Sequence, residues 1–311
     1  MVLCRLGENR YEMLAPAKIN LTLSVYARRP DGYHNLHSVM QAIDFCDRLT
    51  FRLSPQIELA CGNSDLPTGR DNLVIKAAKA LQERTGSRSG ISVFLEKRIP
   101  QGAGLGGGSS DAAATLAGLN KIWDLGLSAE ELGEIGARLG ADIPFFIRGG
   151  TMLAEGIGER LTPLPTPDFW VLLTIFPHIR ISTPWAYREG DRLGLFSQDI
   201  PGKRPDYRLT KKDNCISITS SNFSRIAGNL QNDFEQVVFP GHPELEETKR
   251  LLMERDVPTL LSGSGSTLFS LFGSREKAGR TREALINRHK PLSEDKLIIA
   301  KTLSPWGVDK R

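Results

Sequence analysis

The sequence predicts an α+β protein of two domains. Three observations carry that prediction. Strand-like alternation and helix-like apolar stripes both occur in the first 165 residues. After a glycine- and proline-rich junction near residue 165, the order of patterns is that of a split βαβ unit. The 311 residues, at roughly 150 per domain, fit two cores rather than one. The expected division is 1–165 and 166–311.

In chain order, AKINLTLSV at 17–25 alternates strictly, with Ile19, Leu21, Leu23 and Val25 on one face and Lys18, Asn20, Thr22 and Ser24 on the other, which predicts a half-buried strand. The turn signal RPDGYH follows, and HSVMQAIDF and DRLTFRL read as two further strands. Asp71 is placed to cap a helix reaching about Arg84, since Leu73, Val74, Ala77, Ala78 and Leu81 form one stripe before Gly86. ISVFLEK is the next strand. The Ala-rich DAAATLAGLNKIW favours a helix starting at Ser109 or Ser110, and Ser128 with Glu131 forms a capping box for another that stops near Gly140. Residues 149–164 suggest a hairpin.

Beyond the junction, FWVLLTIF is a buried strand, a short helix lies near Trp185, PELEETKRLLMERD is a helix, TLLS and TLFSLF are strands about a glycine turn, REKAGRTREALIN is a helix and DKLIIAKTL a strand. This order suggests a ferredoxin-like half. Residues 188–230, with Lys203, Arg204, Lys211 and Lys212, show little periodicity and read as a long excursion.

Composition excludes several classes. Hydrophobic residues at 40% and charged residues at 24% argue against a disordered or collagen-like chain. The net charge of +4 is compatible with an anionic small ligand and too weak to demand nucleic acid. Cys4, Cys46, Cys61 and Cys215 stand singly, without zinc or disulfide spacing, and suit a reducing cytoplasm. The N-terminus lacks a signal-peptide core, and the best apolar run, 169–176, is too short to span a bilayer, so no membrane association is expected.

The most informative segment is PQGAGLGGGSSDAA at 100–113. Five glycines in seven positions leave backbone amides bare just before a helix N-terminus, a place suited to phosphate. Taken alone, the GxGxxG match at Gly102, Gly104 and Gly107 fits a dinucleotide fold, a phosphate cradle or a flexible connection, and no lysine follows to make a Walker A loop. Ser109 or Ser110 either caps the helix or offers a hydroxyl to a phosphate or its magnesium ion. Lys18 and Asn20, about 6 to 7 Å apart along a strand, form either a solvent-facing edge or part of a site. Asp142, before Pro144, is either a turn cap or a general base. SGSGST at 262–267 is a hairpin turn by its composition. His34 and His37 form an HxxH pair without an evident third ligand, so no metal is expected there. Tyr33 and Tyr187 are either core aromatics or stacking surfaces.

In combination, APAKINL at 15–21, PQGAGLGGGSSDAA at 100–113 and SGSGST at 262–267 resemble, in order, the three motifs of the GHMP kinase superfamily. RPDGYHNLHSVMQAIDFCD, GADIPFFIRGGTMLAEGIGE and the Asn232–Asp233 pair narrow the resemblance to its kinases of a cytidine-diphosphate-linked methylerythritol. It covers nearly the whole chain except 188–230. The resemblance implies an N-terminal domain like the second domain of ribosomal protein S5, a C-terminal ferredoxin-like domain, and phosphorylation of the 2-hydroxyl of that alcohol by ATP with Mg2+, a step of non-mevalonate isoprenoid synthesis. It implies Asp142 as the catalytic aspartate and Lys18 as its partner, with Asn20 nearby. Asn20, Tyr33, His34, Thr183 and Tyr187 would form the substrate site, the aromatic residues taking the cytosine. Asn72 and Lys97 would lie near the adenine, and Pro100, Gly102, Gly104, Leu105, Gly106, Gly107, Gly108, Ser109 and Ser110 would complete the ATP site. Protein ligands for magnesium are not implied, and a monomer or weak homodimer is expected. The alternatives are a superfamily kinase of a smaller alcohol such as homoserine or mevalonate, and a non-catalytic ligand sensor.

Overall fold

The computed structural model describes residues 1–62, 66–196, 223–288 and 296–306. Most of the 188–230 excursion, with its four basic residues and Cys215, therefore lies outside the described residues.

The N-terminal half begins with β1 (Leu3–Gly7), β2 (Arg10–Arg28), β3 (His34–Ser54) and β4 (Ile57–Cys61), continues through α1 (Leu73–Thr85) and β5 (Gly90–Glu96), and adds α2 (Gly107–Ile122), α3 (Ala129–Ala137) and α4 (Ile143–Arg148) before the hairpin β6 (Thr151–Gly156) and β7 (Arg160–Leu164). Its sheet runs β1-β2-β3-β5-β4, with β6 also on β3. The two segments expected as separate strands at 37–45 and 47–53 form one, because β3 pairs with β6 along its first half and with β5 along its second, so nothing interrupts it. Alanines 112, 113, 114 and 117 on α2 are buried, and a Cβ on Gly118 would lie 3.2 Å from the Phe51 ring. Small residues here let the helix lie close on the sheet, in addition to favouring helix.

Two helix starts differ from expectation. Asn72, not Asp71, caps α1: its Oδ1 accepts from Val74 N–H at 2.9 Å, while the Asp71 side chain is exposed and pairs with Lys76. α2 begins at Gly107 behind Gly106 in the left-handed region (φ 72°), and neither Ser109 nor Ser110 caps it. The Ser128–Glu131 capping box is present in both directions, and Gly86 (φ 71°) closes α1.

The C-terminal half holds β8 (Trp170–Thr174), α5 (Thr183–Arg192), α6 (Phe223–Ala227), β9 (Gln231–Asn232), α7 (Glu235–Val238), α8 (Pro243–Met253), β10 (Thr259–Leu261), β11 (Leu268–Phe272), α9 (Arg275–Arg288) and β12 (Leu297–Lys301). Its four-stranded antiparallel sheet has the order β10-β11-β8-β12, the arrangement expected of a ferredoxin-like half. The halves are stitched together. β9 pairs in parallel with β2 of the first sheet, and Trp306 Nε1 donates to Phe146 O at 3.1 Å. Among the described residues, no helix is long and apolar enough to cross a membrane.

Candidate active site

A cleft of about 540 Å³ opens between the two halves, within the range of small-molecule sites. Its floor is the glycine loop. Gly102, Gly104 and Gly106 all have positive φ (64°, 75° and 72°), and a Cβ on Gly104 would lie 1.8 Å from Ser262 O, so the loop can press against the 262–267 turn only with glycine there. Ser262 Oγ donates to Gly104 O at 2.9 Å and locks that contact. The loop delivers the uncapped N-terminus of the 16-residue α2 to the cleft, where free amides and the helix dipole favour an anion.

β2 passes beneath this loop, with Lys18 N–H donating to Leu105 O at 3.0 Å. Lys18 and Asn20 are 5% and 4% exposed, so the face read as polar is covered, not solvated. Lys18 Nζ donates to Asn20 Oδ1 at 2.5 Å, and Asn20 Nδ2 donates to Ser38 Oγ at 2.8 Å, which fixes the amide's orientation. Burial pushes the Lys18 ammonium below the ordinary lysine range, and the Asp142 carboxylate draws it partly back. Asp142 stands at the N-cap of α4, yet its side chain makes no capping bond and lines the cleft instead.

Lys97 enters the cleft from the other end of the loop. It is ion-paired with Asp47 and, at 2.8 Å, with Asp111 on α2. Asp47 also accepts from the N–H groups of Arg98 and Ile99, at 2.5 and 2.8 Å. Burial opposes the Lys97 charge, but the two carboxylates outweigh it and raise its pKa. Burial holds the Asp111 carboxyl above the ordinary carboxylate range, with Lys97 pulling the other way.

The third wall is aromatic. Tyr187 of α5 stacks on His34 with centroids 4.8 Å apart and meets Phe234 edge-on at 5.0 Å. Its phenol is pushed up to about 12, first by burial and then by the Asp142 charge. His34 Nε2 lies 2.8 Å from Asp191 Oδ1. Thr183, the first residue of α5, shares a 2.9 Å hydrogen bond with Ser264.

Residues 72–150 match the model of the GHMP kinases N terminal domain, and 214–291 that of the GHMP kinases C terminal domain. The 4-diphosphocytidyl-2-C-methyl-D-erythritol kinase of Pelobacter propionicus is 42% identical over 276 residues, covering 88% of this chain and 93% of that one. The chain belongs to the 4-diphosphocytidyl-2-C-methyl-D-erythritol kinase family of GHMP kinases. The enzyme of the same name from Chloroherpeton thalassium is also 42% identical, over 88% of this chain and 94% of its own. A crystal structure of 4-(cytidine 5'-diphospho)-2C-methyl-D-erythritol kinase superposes with a TM-score of 0.73 at 35% identity, covering 94% of this chain and 98% of that one. Homoserine kinase from Cytophaga hutchinsonii, at 17% identity and a TM-score of 0.68 over 99% and 98% of the two chains, shares the fold. The two-domain α+β GHMP kinase fold is thus that of this chain.

Within this family fold, the cleft gathers Lys18, Asn20, Asn72, Lys97, Asp142, Thr183 and Tyr187, although Asn72 spends its amide on capping α1 and on Pro67 O. Pro100, Gly102, Gly104, Gly106, Gly107, Gly108 and Ser109 line it as well. Leu105 and Ser110 are fully buried behind that lining, with Leu105 contributing its carbonyl to Lys18. Tyr33 is 60% exposed at the turn, and His34 sits behind Tyr187 rather than on the cleft surface. Sequence reasoning missed Asp111, Phe234, Gly263 and Ser264 as lining residues. Asp111 carried a readable signal: a carboxylate leading into an Ala-rich, buried helix needs a cation beside it.

Proposed function

We propose that the protein transfers the γ-phosphoryl group of ATP to the 2-hydroxyl of 4-diphosphocytidyl-2-C-methyl-D-erythritol, a step of isoprenoid precursor synthesis by the non-mevalonate route. The observation that carries the mechanism is the meeting of Lys18, Asp142 and the uncapped N-terminus of α2 in one cleft. Phosphoryl transfer asks for positioning and charge stabilisation more than for covalent participation. Asp142 accepts the proton of the substrate hydroxyl as that oxygen attacks the γ-phosphorus. The new O–P bond forms while the bridging bond to the β-phosphate breaks, and ADP leaves. Lys18 stabilises negative charge on the attacking oxygen. The bare amides of residues 106–109 hold the phosphates.

The cleft offers the phosphates of ATP the amides of a loop whose packing requires glycine: a Cβ would meet the Ser262 carbonyl at Gly104 and the Ile99 side chain, at 2.9 Å, at Gly107. Magnesium, when bound, supplies charge neutralisation on the phosphates. Ser109, which lines the cleft in the first turn of α2, would offer it a hydroxyl. On the substrate side, Tyr187 offers a ring for the cytosine, with Tyr33 and His34 at the adjacent turn and Thr183 at the rim. Cys4 and Cys46 are free thiols, which supports a cytoplasmic enzyme.

The test is release of ADP. We expect turnover only with ATP, magnesium and the cytidine diphosphate alcohol together, and little with homoserine or mevalonate. Equal turnover of an alcohol lacking the nucleotide would refute the substrate assignment.

A further inference from the structure

β9 is two residues long, yet it is inserted from the C-terminal half into the sheet that carries Lys18. Its backbone is clamped: Asp233 N–H donates to Leu23 O at 3.0 Å, and Asp233 Oδ2 accepts from Val25 N–H at 2.8 Å. The clamp sets the place of Asn232, which is 4% exposed. Asn232 Nδ2 donates to Leu261 O at 2.8 Å and to Gly263 O at 2.7 Å, while Oδ1 accepts from Phe234 N–H at 3.0 Å. Both amide hydrogens are spent on carbonyls of one turn, an arrangement that a carboxylate or an alanine cannot reproduce.

That turn forms part of the pocket around the lysine. Gly263 has φ 55°, and a Cβ there would lie 3.1 Å from Lys18 Nζ and 3.1 Å from Gly104 O. The ammonium is therefore held by Asn20 from its own strand and closed in by a glycine backbone from the other half. We propose that Asn232 is a positioning residue for phosphoryl transfer: through the 261–264 turn it keeps Lys18 dry and aligned with the glycine loop. The inference rests on the role given to Lys18 above.

The first test is Asn232→Ala, assayed well below its measured melting temperature. Losing the tie lets the turn relax and water reach Lys18. We expect kcat to fall about 10- to 100-fold, as for a catalytic group displaced by about an ångström, with both KM values within about threefold. Burial depresses the proton affinity of Lys18, so admitting water moves the alkaline limb of the kcat–pH profile upward. The charged group facing Lys18 is Asp142, and the Tyr187 phenol faces Asp142; neither is altered by the substitution. A purely structural asparagine would lower the melting temperature and leave that limb in place.

Ser262→Ala, which frees the same turn from Gly104, should show both effects more weakly, and it decides the matter if Asn232→Ala fails to fold. A folded variant with kcat within twofold of the parent and an unmoved limb overturns the proposal. Lys18→Met separates the two readings: full activity in that variant defeats the role of the lysine, whereas a dead Lys18→Met beside a normal Asn232→Ala defeats only the positioning role.

Discussion

Lys18 and Lys97 bring two ammonium groups into the same cleft, both largely buried, and the protein treats them in opposite ways. Lys18 has a neutral amide as its hydrogen-bond partner, and burial depresses its pKa. Lys97 has two carboxylates, and its pKa is raised in spite of burial. The comparison teaches that the partner, more than the depth, sets what a buried lysine does. One paired with carboxylates acts as a fixed structural cation joining the strand end at Asp47 to α2 at Asp111. One hydrogen-bonded to an amide, with the Asp142 carboxylate acting on it through space, keeps its charge available for what enters the cleft.

The strongest way to break the contrast is Asp47→Ala. It leaves the Lys97 ammonium half compensated and the N–H groups of Arg98 and Ile99, the latter buried, without their acceptor. A loss of about 3–5 kcal/mol in urea unfolding is expected, as for breaking a buried ion pair. A loss under about 1 kcal/mol would remove Lys97 from the structural side. Asp142→Asn should do the reverse. Because the Asp142 side chain caps nothing, the melting temperature stays close to that of the parent while kcat drops at least about a hundredfold with both substrates still bound. Lys18→Met should also be slow without loss of stability, and the double variant little worse than the slower single one. Near-normal kcat in Asp142→Asn returns the aspartate to the turn.

Tyr187 probes the neighbour that shares the Asp142 field. Tyr187→Ala should raise KM for the cytidine-linked alcohol by the equivalent of about 1–3 kcal/mol, the worth of a stacked base, and leave the KM for ATP nearly unchanged. Thermal melting beside the kinetics shows whether loss of the ring contacts with His34 and Phe234 unfolds the protein instead. The smallest effect concerns pH. A lysine with a depressed pKa loses its proton below 10.5, so activity should fall on its alkaline limb, about tenfold per pH unit, before pH 10.5 is reached. Lys97 has a raised pKa, so its stabilising contribution is fully present below 10.5 and is lost only as pH climbs through the higher folded-state value. Kinetic and melting profiles that collapse together in alkali would show the two lysines to be alike.

Much of this was legible in the residues. The strand at 17–25, the capping box at Ser128 and Glu131, and the strand order after residue 165 depend on neighbours within a few positions, and all three appear in the fold. The glycine loop was legible for the same reason, since backbone freedom and a following helix are local properties. Where local rules competed, the reading slipped by a residue or two. Asn72 took the cap from Asp71, and α2 started on Gly107 because Gly106 turns the chain there.

Local sequence thus carried the elements, their order and the chemical types that can meet at a phosphate. It did not carry the environment of those groups, because environment is built from contacts distant along the chain. The polar face of β2 is covered by a turn at 262–264 and a loop at 102–106, so alternation that reads as solvent-facing becomes a dry pocket for Lys18. Asp47 lies 50 residues from Lys97 and Asp111 a further 14 beyond it, and no local rule joins them. Burial and the identity of the partner decide whether a side chain is a stabilising ion or a reactive one, and both are set by how distant parts of the chain pack together.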